Sequence, residues 1–513
     1  MRTPERFLTL ALVVCLTMLF AGSASAQIQS AATGGWSKPA TWVGGVVPTA
    51  TDNVEIVAGH TVTIDTVTAE CKDLTANGYL FFDILSSGYK LTVHGNATVG
   101  ATGRLRGASG TPVAPRSHDV VFEKNLTVLT GGSFDMRVGS GANVSVGRVT
   151  FSGSTNDTIR LSLTTYGSSV EEFNSIIINK SGSGRVILAS GNLYQNNNTS
   201  NSPDTLVLIS GIVETGSNYW AILRTSSAAV LGGSASSYFI GYLGRGVTNG
   251  GGTTALDFPM GDGVNYRPIN VRCFGPANAT GHFVWAKYMS GNANTGSSTL
   301  GSGIDKVSAV RYYAVGYLQN AGSSATMGFD RFSVSYGSDD GVSSGNTDLR
   351  VAYSTDSLAS WTAMPQTIND TTYIPDTQIQ SDTLSTAITI NTGAKVYLAL
   401  ARKTGTTTNT LGSGGTSVGD GTELAPGEYR LGQNYPNPFN PSTAISYQLS
   451  AVSDVSLKVF DVLGREVETL VSGVMPAGTY KATWNAGSSP SGIYFCKFQA
   501  GERMEVRKMV LMK

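Results

Sequence analysis

Short apolar strands recur through residues 71–229, and this repetition limits the possible fold more than any other feature of the sequence. Each strand is a triplet with apolar first and third residues, soon followed by Gly or Asn. Several triplets lie ~20 residues apart, a period typical of solenoids, whose coils bury their apolar faces only by stacking. The sequence therefore predicts a parallel β-helix or a related β-solenoid, with a stack of antiparallel hairpins as the alternative. The triplets include residues 91–93, 126–128, 144–146, 176–178, 186–188 and 206–208.

The composition supports a fold made of strands and turns. Charged residues are 14% of the 513 residues, well below the roughly 25% of an ordinary globular protein. Gly contributes 62 residues, and Gly, Asn and Ser form turns while Thr and Val suit pleated strands. We therefore predict an all-β protein of about three domains. The 35 basic residues (Lys and Arg) are scattered, and 35 acidic residues (Asp and Glu) balance their charge. Nucleic-acid binding is therefore not expected.

The N-terminus has the layout of a secretory signal peptide. Two arginines precede an apolar stretch at residues 8–22, and the small residues Ala24 and Ala26 follow it. A membrane-spanning helix needs ~20 apolar residues, so this stretch is short for an anchor. Because Ala24 and Ala26 form an A-x-A cleavage site, we predict cleavage between Ala26 and Gln27.

Two tryptophans, Trp36 and Trp42, stand near the start of the mature chain, and short alternating runs follow at residues 54–56 and 62–64. These runs predict two short strands joined by a turn. Residues 27–70 resemble the glycine-rich, Trp-containing modules that open many bacterial surface proteins, with the pattern W-x-x-x-x-T-W-x-G-G-x-x-P. We expect the tryptophans to close the open end of a β core. A sugar-stacking platform is the alternative.

Residues 230–402 contain longer alternating strands and more aromatic residues, and an antiparallel β-sandwich fits them best. A turn at residues 258–263, a Tyr-Arg-Pro triplet at residues 266–268 and a later strand that contains Arg311 resemble an uncharacterised β domain common in outer-surface proteins. That resemblance implies no known activity. Residues 403–427 contain almost no apolar side chain, which predicts a flexible linker.

The C-terminal region, residues 428–513, is predicted to be an Ig-like β-sandwich of about seven strands, because turn residues interrupt alternating strands at regular intervals. Pro436, Pro438 and Pro441 lie in the segment that leads into it. Proline removes an amide donor and fixes an extended backbone, so these residues protect the edge of the first strand.

The same region carries an ordered series of motifs before a Lys-apolar-Lys tail: NYPNPFNPST at residues 434–443, VFDVLGREV at 459–467, PAGTY at 476–480 and SGIY at 491–494. The series resembles the type A C-terminal sorting domain of the type IX secretion system. The resemblance implies recognition by an outer-membrane translocon and delivery to the cell surface or the extracellular space. It further implies removal of the domain by a sortase-like protease, with the cargo released or joined to surface lipopolysaccharide. The positions it assigns to recognition are Gly478, Tyr480, Gly492, Tyr494, Lys508 and Lys513.

No residue pattern in the sequence points to catalysis, a metal or a cofactor. The histidines are dispersed and the mature cysteines lack a C-x-x-C pair, so neither a zinc site nor a redox motif is expected. Cys71, Cys273 and Cys496 are expected to be small buried residues, with one long-range disulfide as the alternative. Residues 354–361 are similar to the Asp-box of sialidases but lack its Gly. We expect a hairpin turn with a packed Trp361.

Delivery to the outside, low charge and the lack of a catalytic pattern favour a non-catalytic stalk or adhesin that contacts polysaccharide or other cells. The same solenoid fold carries polysaccharide lyases and glycosidases, so a secreted carbohydrate-active enzyme is one alternative. A structural sheath or matrix component is another. The adjacent pairs Glu171–Glu172 and Asp339 with Asp340 do not indicate catalysis, because neighbouring strand residues point to opposite faces.

Overall fold

The computed structural model describes residues 27–512 except 109–115, 141–142, 163–170, 183, 196–204, 248–251, 276–282, 295–297, 320–325, 343–347, 366–376, 407–408, 413–429, 433, 435–436, 438, 450–452, 476–477, 488 and 502. Its regular elements are strands and short 3-10 turns, so the all-β prediction is confirmed. No helix in this part of the chain is long and apolar enough to cross a bilayer. The chain divides into two compact units, Met1–Thr416 and Ser417–Lys513. The 3-10 turns are Pro39–Thr41, Val43–Gly45, Ser227–Ala229 and Ser338–Asp340.

Unit 1 begins with short strands. In chain order they are β1 Gln27–Gln29, β2 Gly34–Gly35, β3 Asn53–Ile56, β4 Thr61–Ile64, β5 Ala69–Cys71, β6 Leu74–Ala76, β7 Tyr79–Phe82, β8 Lys90–Val93, β9 Ala97–Val99, β10 Arg104–Arg106, β11 Arg116–Phe122, β12 Leu126–Val128, β13 Ser133–Asp135, β14 Arg137–Ser140, β15 Asn143–Phe151, β16 Asp157–Arg160, β17 Glu171–Glu172, β18 Ser175–Asn179, β19 Arg185–Ser190, β20 Leu193–Gln195, β21 Leu206–Ser210, β22 Ile212–Ile222 and β23 Val230–Gly232.

Successive strands pass through three parallel sheets and then return to the first, which makes this part a β-solenoid. The first sheet stacks β1, β3, β6, β9, β12, β16, β19 and β22. The second stacks β2, β4, β7, β10, β13 and β17. The third stacks β5, β8, β11, β15, β18, β21 and β23, with β14 as an antiparallel branch on β15. The predicted parallel solenoid is confirmed, and the alternative stack of antiparallel hairpins is wrong.

Parallel pairing aligns the apolar residues of successive coils into inward-facing rows. In the third sheet Leu91, Val120, Val149, Ile176 and Leu206 stand in register, and all of them are fully buried. Each such side chain contributes roughly 1.5–3 kcal/mol by leaving water, but only where a neighbouring coil covers it. In this sheet the apolar first and third residues of the triplets at residues 91–93, 176–178 and 206–208 are therefore the inward-facing positions of one coil.

The strands predicted at residues 54–56 and 62–64 are present as β3 and β4, but they belong to different sheets. β3 pairs with β1 and β6, whereas β4 pairs with β2 and β7. The intervening turn contains Gly59 at a φ of 88°, a conformation that glycine adopts without steric cost. The turn therefore forms a corner of the solenoid.

The two N-terminal tryptophans are part of the solenoid core. Trp36 and Trp42 are 1% and 2% exposed, and their ring centroids lie 5.0 Å apart in an edge-to-face arrangement. Trp42 Nε1 donates to the carbonyl oxygen of Trp36 at 2.8 Å. The prediction that they close a β core is confirmed. The sugar-stacking alternative is wrong, because neither ring face is open to a ligand.

The second part of unit 1 consists of longer, antiparallel strands. They are β24 Phe239–Gly246, β25 Thr253–Phe258, β26 Ile269–Phe274, β27 Phe283–Ser290, β28 Thr299–Leu300, β29 Ile304–Val307, β30 Arg311–Leu318, β31 Thr326–Tyr336, β32 Leu349–Ser354, β33 Ser360–Ala363, β34 Thr377–Gln380, β35 Ile388–Asn391 and β36 Lys395–Lys403.

Strand β24 joins the two parts of unit 1. It pairs in parallel with β22 of the solenoid and antiparallel with β27 on its other side. The sheet continues through β30, β36 and β32, while β25, β26, β31, β34 and β35 form a second antiparallel sheet. Buried residues of both sheets share one hydrophobic core with the solenoid.

Two arginines from the motifs of residues 230–402 meet at a buried acidic turn. Arg267 and Arg311 are 4% and 2% exposed, and each donates to Asp339 at 2.6 Å. Arg311 also pairs with Asp340, whose carboxylate accepts the amide hydrogen of Gly337 at 2.9 Å. Burial raises the pKa of Asp340 to about 6 although Arg311 opposes the shift. The network explains why this sequence places arginines after Tyr266 and before Tyr312.

Part of the segment that composition predicts to be a linker is packed within unit 1. Lys403 is the last residue of β36, and Asn409 and Leu411 are fully buried. The Asn409 side chain donates to the carboxylate of Asp348. Residues 413–427 of the predicted linker lie outside the described residues.

A buried histidine lies in β11. The ring of His118 stacks on Phe82 at 4.9 Å and on Tyr89 at 5.6 Å between centroids. Within the part of the chain that the structure describes, neither ring nitrogen has a hydrogen-bond partner. Burial lowers the pKa of His118 to about 4, although the charge of Asp119 opposes this shift. The imidazole is therefore neutral at pH 7.

Acidification is expected to destabilise unit 1 through His118. The pKa of His118 in the folded protein lies below the unfolded value of 6.5. The contribution of this residue to the free energy of unfolding is therefore fully present above pH 6.5 and is lost as the pH falls towards about 4. The difference between the folded and unfolded pKa values corresponds to about 3 kcal/mol of unfolding free energy. His118→Phe should flatten the dependence of the unfolding free energy on pH across this window, as measured by urea denaturation. Phe134→Leu removes no titratable group and should keep the wild-type slope. An unchanged slope in His118→Phe would contradict the assignment.

Unit 2 contains β37 Arg430–Leu431, β38 Ser442–Leu449, β39 Ser453–Asp461, β40 Glu466–Met475, β41 Gly478–Asn485, β42 Gly492–Ala500 and β43 Arg503–Leu511. They form a three-stranded sheet, β37-β38-β41, and a four-stranded sheet, β40-β39-β42-β43. Both sheets are antiparallel. Buried residues of the two sheets form one core, separate from that of unit 1.

Candidate recognition surfaces

The proline-rich motif of unit 2 is fastened to the last strand. Phe439 is 2% exposed, and its ring lies 5.3 Å from that of Trp484. Its amide donates to Val510 O and its carbonyl accepts the amide hydrogen of Met512, both at 2.9 Å. Asn437 Oδ1 accepts the Val510 amide hydrogen at 2.8 Å. The motif therefore runs parallel to β43 and covers the end of the sandwich core.

The two tyrosines assigned to recognition pack within unit 2. Tyr494 is buried and donates from its hydroxyl to Pro490 O at 2.7 Å. Its ring meets Trp484 edge-on at 4.9 Å. Tyr480, half-buried, stacks on Tyr447 at 5.4 Å. Both residues support the fold, and a role in recognition stays a prediction.

The other predicted recognition residues are distributed over both sheets. Gly478 begins β41 and pairs with Leu449, whereas Gly492 begins β42 and pairs with Leu511. Lys508 is exposed on β43. The structure does not bring these positions into one cluster.

The remaining predicted site residues stand at the two ends of the chain. Lys513 lies outside the described residues, as do Ala24 and Ala26 of the predicted cleavage site. Gln27, the residue after that site, is the first residue of β1.

One side of the four-stranded sheet faces away from the core of unit 2 and combines apolar and basic side chains. Alternation along β42 turns Tyr494 and Cys496 inward and leaves Phe495 and Ile493 36% and 42% exposed. A depression of about 240 Å³ is lined by Ser456, Lys458, Phe460, Lys497 and Gln499. We call this surface the outer face and define it by Lys458, Phe460, Ile493, Phe495, Lys497, Val506 and Lys508. Its chemistry suits a partner that offers apolar and acidic groups.

Comparison with known families decides the nature of unit 2. Residues 433–512 match the family described as a secretion system C-terminal sorting domain. The chain carries a type IX sorting domain. Such a domain marks proteins exported to the cell surface or the extracellular space, and it interacts with the type IX secretion machinery. No curated protein and no solved structure matches the chain.

The solenoid ahead of the sorting domain presents aromatic and basic side chains on its second sheet. Tyr79 is 38% exposed and stacks on Phe81 at 5.6 Å between ring centroids. On the next coil Arg104 lies over the Tyr79 ring, 5.1 Å from its centroid. Arg106 donates to Asp135 at 2.8 and 3.1 Å. We call these five residues the Tyr79 patch, in which Tyr79 is exposed while Phe81 and Asp135 are buried.

The Tyr79 patch was not predicted from the sequence. Parallel register places Arg104 beside Tyr79 and Arg106 beside Phe81, and this register depends on the length of the corner between the coils. An alternating Tyr-Leu-Phe run followed by Arg-Leu-Arg was the available signal. It indicates outward aromatic and basic residues only once the two strands are known to be neighbours.

Histidine and carboxylates meet at a corner of the solenoid. His94 Nδ1 lies 3.0 Å from Glu123 Oε2, and His94 Nε2 lies 3.5 Å from Glu70 Oε2. Partial burial lowers the pKa of His94, but the hydrogen bonds and charges of the two glutamates outweigh it and raise the pKa overall. Among the described residues, no group of His, Cys, Asp and Glu has the arrangement of a metal site.

The segment similar to an Asp-box is a hairpin turn between β32 and β33. Asp356 accepts hydrogen bonds from Ser354 Oγ at 2.7 Å and from the Ser360 amide at 2.9 Å. Trp361 is 1% exposed and donates to Ala293 O at 3.0 Å. The prediction of a turn with a packed tryptophan is confirmed.

The cysteines are structural. Cys71, Cys273 and Cys496 are fully buried and carry free thiols, as predicted, and the alternative of a disulfide is wrong. Burial raises the pKa of Cys273 and of Cys496 to about 12. Because the thiolate is the reactive form, these thiols are inert.

Proposed function

We propose that the exported protein is a non-catalytic adhesin whose solenoid contacts polysaccharide or the surface of another cell. The observation that carries this proposal is the Tyr79 patch, an exposed aromatic ring beside a guanidinium on the flank of a stacked scaffold. Arg104 covers one face of the Tyr79 ring, so the exposed remainder of the ring is the part that would contact the apolar face of a sugar, while guanidinium groups donate to hydroxyl and carboxylate oxygens. Stacked coils hold these groups on rigid strands, which lowers the entropic cost of binding.

We further propose that the sorting domain is removed after export by a sortase-like protease, leaving the cargo released or joined to lipopolysaccharide. In support, unit 2 has its own core and Ser417–Lys513 is a compact unit by itself. Removal of such a unit leaves the core of unit 1 intact.

A secreted carbohydrate-active enzyme is the second candidate. Asp135 stands beside Arg106 on the solenoid flank, and a carboxylate with a basic neighbour is one arrangement that cleaves polysaccharides. In this pair the guanidinium of Arg106 donates two hydrogen bonds to the carboxylate of Asp135. The carboxylate is therefore already engaged, which favours the binding role over catalysis. Product formation separates the two candidates.

A polysaccharide-binding screen of the full mature chain, with turnover measured alongside, tests the proposed function. Tyr79→Ala should weaken binding about tenfold, equivalent to about 1.4 kcal/mol. Arg104→Ala should also weaken binding. Arg148→Ala removes an arginine that pairs with Asp119 on the third sheet and should leave binding unchanged. Equal binding by all variants would refute the role of the patch, and new reducing ends or unsaturated products would establish the enzyme.

A further inference from the structure

A lysine and an aspartate are buried together at one corner of the solenoid, between the third and first sheets. Lys180 Nζ lies 2.6 Å from Asp157 Oδ2, and both side chains are completely inaccessible to solvent. Nζ also donates to the carbonyl oxygen of Ser152 on the preceding corner. Among the described residues, none forms a hydrogen bond with Asp157 Oδ1. Since each buried ion costs several kcal/mol of desolvation, the charged form of such a pair is disfavoured.

The corner is shaped around the lysine. A Cβ at Gly211 would lie 2.7 Å from Lys180 Cβ and Cγ, and a Cβ at Gly184 would lie 3.1 Å from its Cε. Glycine at both positions therefore leaves room for the side chain. The Lys180 amide donates to Ser210 O at 2.9 Å, so the backbone of Lys180 is held as well as the end of its side chain.

We propose that Lys180 and Asp157 condense to form an intramolecular amide crosslink. The Lys180 Nζ–Asp157 Cγ bond forms, one Cγ–O bond breaks, and that oxygen leaves as water with two protons from the ammonium group. With a C–O bond of about 1.2 Å, the observed contact places Nζ less than about 4 Å from Cγ. Holding the two groups in this geometry converts a bimolecular condensation into a unimolecular one.

Burial favours the uncharged form of Asp157, one of the two reactants of this step. Burial raises the pKa of Asp157 to about 7, against the opposing effect of Lys180, and the charge of Glu123 adds to the rise. Attack on the carboxyl carbon requires the unprotonated amine of lysine as the nucleophile, and Asp157, in contact with Nζ, is placed to accept the ammonium proton. The amide product carries no charge, so its formation also removes the desolvation cost of the pair.

The crosslink closes the chain between residues 157 and 180 covalently. Lys180 follows β18, and Asp157 begins β16 of the preceding turn of the solenoid. Because each coil is stabilised only by its neighbours, opening at one coil exposes the next. A covalent tie between successive corners limits such opening and would suit a chain exposed outside the cell.

Mass spectrometry of the folded wild-type chain, lacking residues 1–26, tests the crosslink. The intact mass should be lower than the sequence mass by one water. Trypsin should yield residues 149–160 joined to residues 161–185, because an amidated Lys180 is not cleaved. Asp157→Ala and Lys180→Arg should show the full mass and no branched peptide. Full mass in the folded wild type after prolonged incubation overturns the proposal.

An exposed pair in the same chain serves as a matched control. Lys458 Nζ lies 2.9 Å from Glu466 Oε2, and the two side chains are 35% and 43% exposed. The peptides that contain these two residues should remain separate. If the variants do not fold, the wild type synthesised directly into denaturant decides the question. It should have the full mass and lose one water on refolding. A mass loss before refolding, or none afterwards, contradicts the proposal.

Discussion

Deletion of residues 428–513 is expected to leave the protein in the periplasm, with none at the cell surface. The deleted part contains the whole sorting domain at residues 433–512. Unit 1 keeps its own hydrophobic core without it, so a folded cargo should accumulate. Cell fractionation and protease treatment of intact cells measure the two populations. Normal surface display of the truncated chain would refute the delivery role of unit 2.

A single substitution on the outer face tests the same step without removing the domain. Phe495 is 36% exposed and pairs with Lys508 on β43 and Phe460 on β39. Phe495→Glu should therefore leave the sandwich folded and lower the surface population roughly tenfold, the effect of about 1.4 kcal/mol in recognition. Thr483→Glu introduces the same charge at an exposed position of the three-stranded sheet and should be exported normally. Equal export of both variants would place recognition elsewhere on unit 2.

The solenoid could be predicted because its stabilising contacts repeat along the sequence. Leu126 and Val128 belong to one triplet, both are buried, and the same spacing returns in the next coil. The path of the chain between triplets was harder to derive. Gly59 and its neighbours are compatible with a hairpin or a corner, and only the pairing of β3 and β4 with other coils separates the two.

Polar partners that are distant in sequence could not be derived. Arg267 and Asp339 are separated by 72 positions, and nothing local in either segment identifies the other. The same holds for Lys180 and Asp157, which occupy successive corners of different coils. Composition is also a limited guide to flexibility. Leu411 is fully buried and anchors a segment whose composition indicates a linker.

The candidate sites likewise divide into those carried by a continuous run of residues, which the sequence predicts, and those assembled from several strands, which it does not. The motifs of unit 2 identify the sorting domain because each is a continuous run of residues. The outer face combines β39, β42 and β43, and the Tyr79 patch combines β7, β10 and β13. A surface assembled from several strands depends on register, which alternation alone does not determine.

Replacing Arg311 by methionine is expected to destabilise unit 1 by about 3–5 kcal/mol, because it leaves the buried carboxylate of Asp340 without its arginine. Asp340 is fully buried, and Asp339 would retain only Arg267. Methionine fills much of the space of the arginine stem, so the loss reflects charge more than a cavity. Urea denaturation of the full chain, with the transition of unit 1 followed by tryptophan fluorescence, measures the change.

Two further variants separate this effect from the loss of any arginine. Arg402 pairs with Asp305 at 2.9 Å, where the carboxylate side chain is 32% exposed, and Arg402→Met should cost about 1 kcal/mol or less. Adding Asp340→Asn to Arg311→Met removes the unpaired buried charge and should recover much of the lost stability. If the double variant is as unstable as Arg311→Met, or if Arg402→Met is equally damaging, the buried charge is not the cause. The two motif arginines would then act through packing alone.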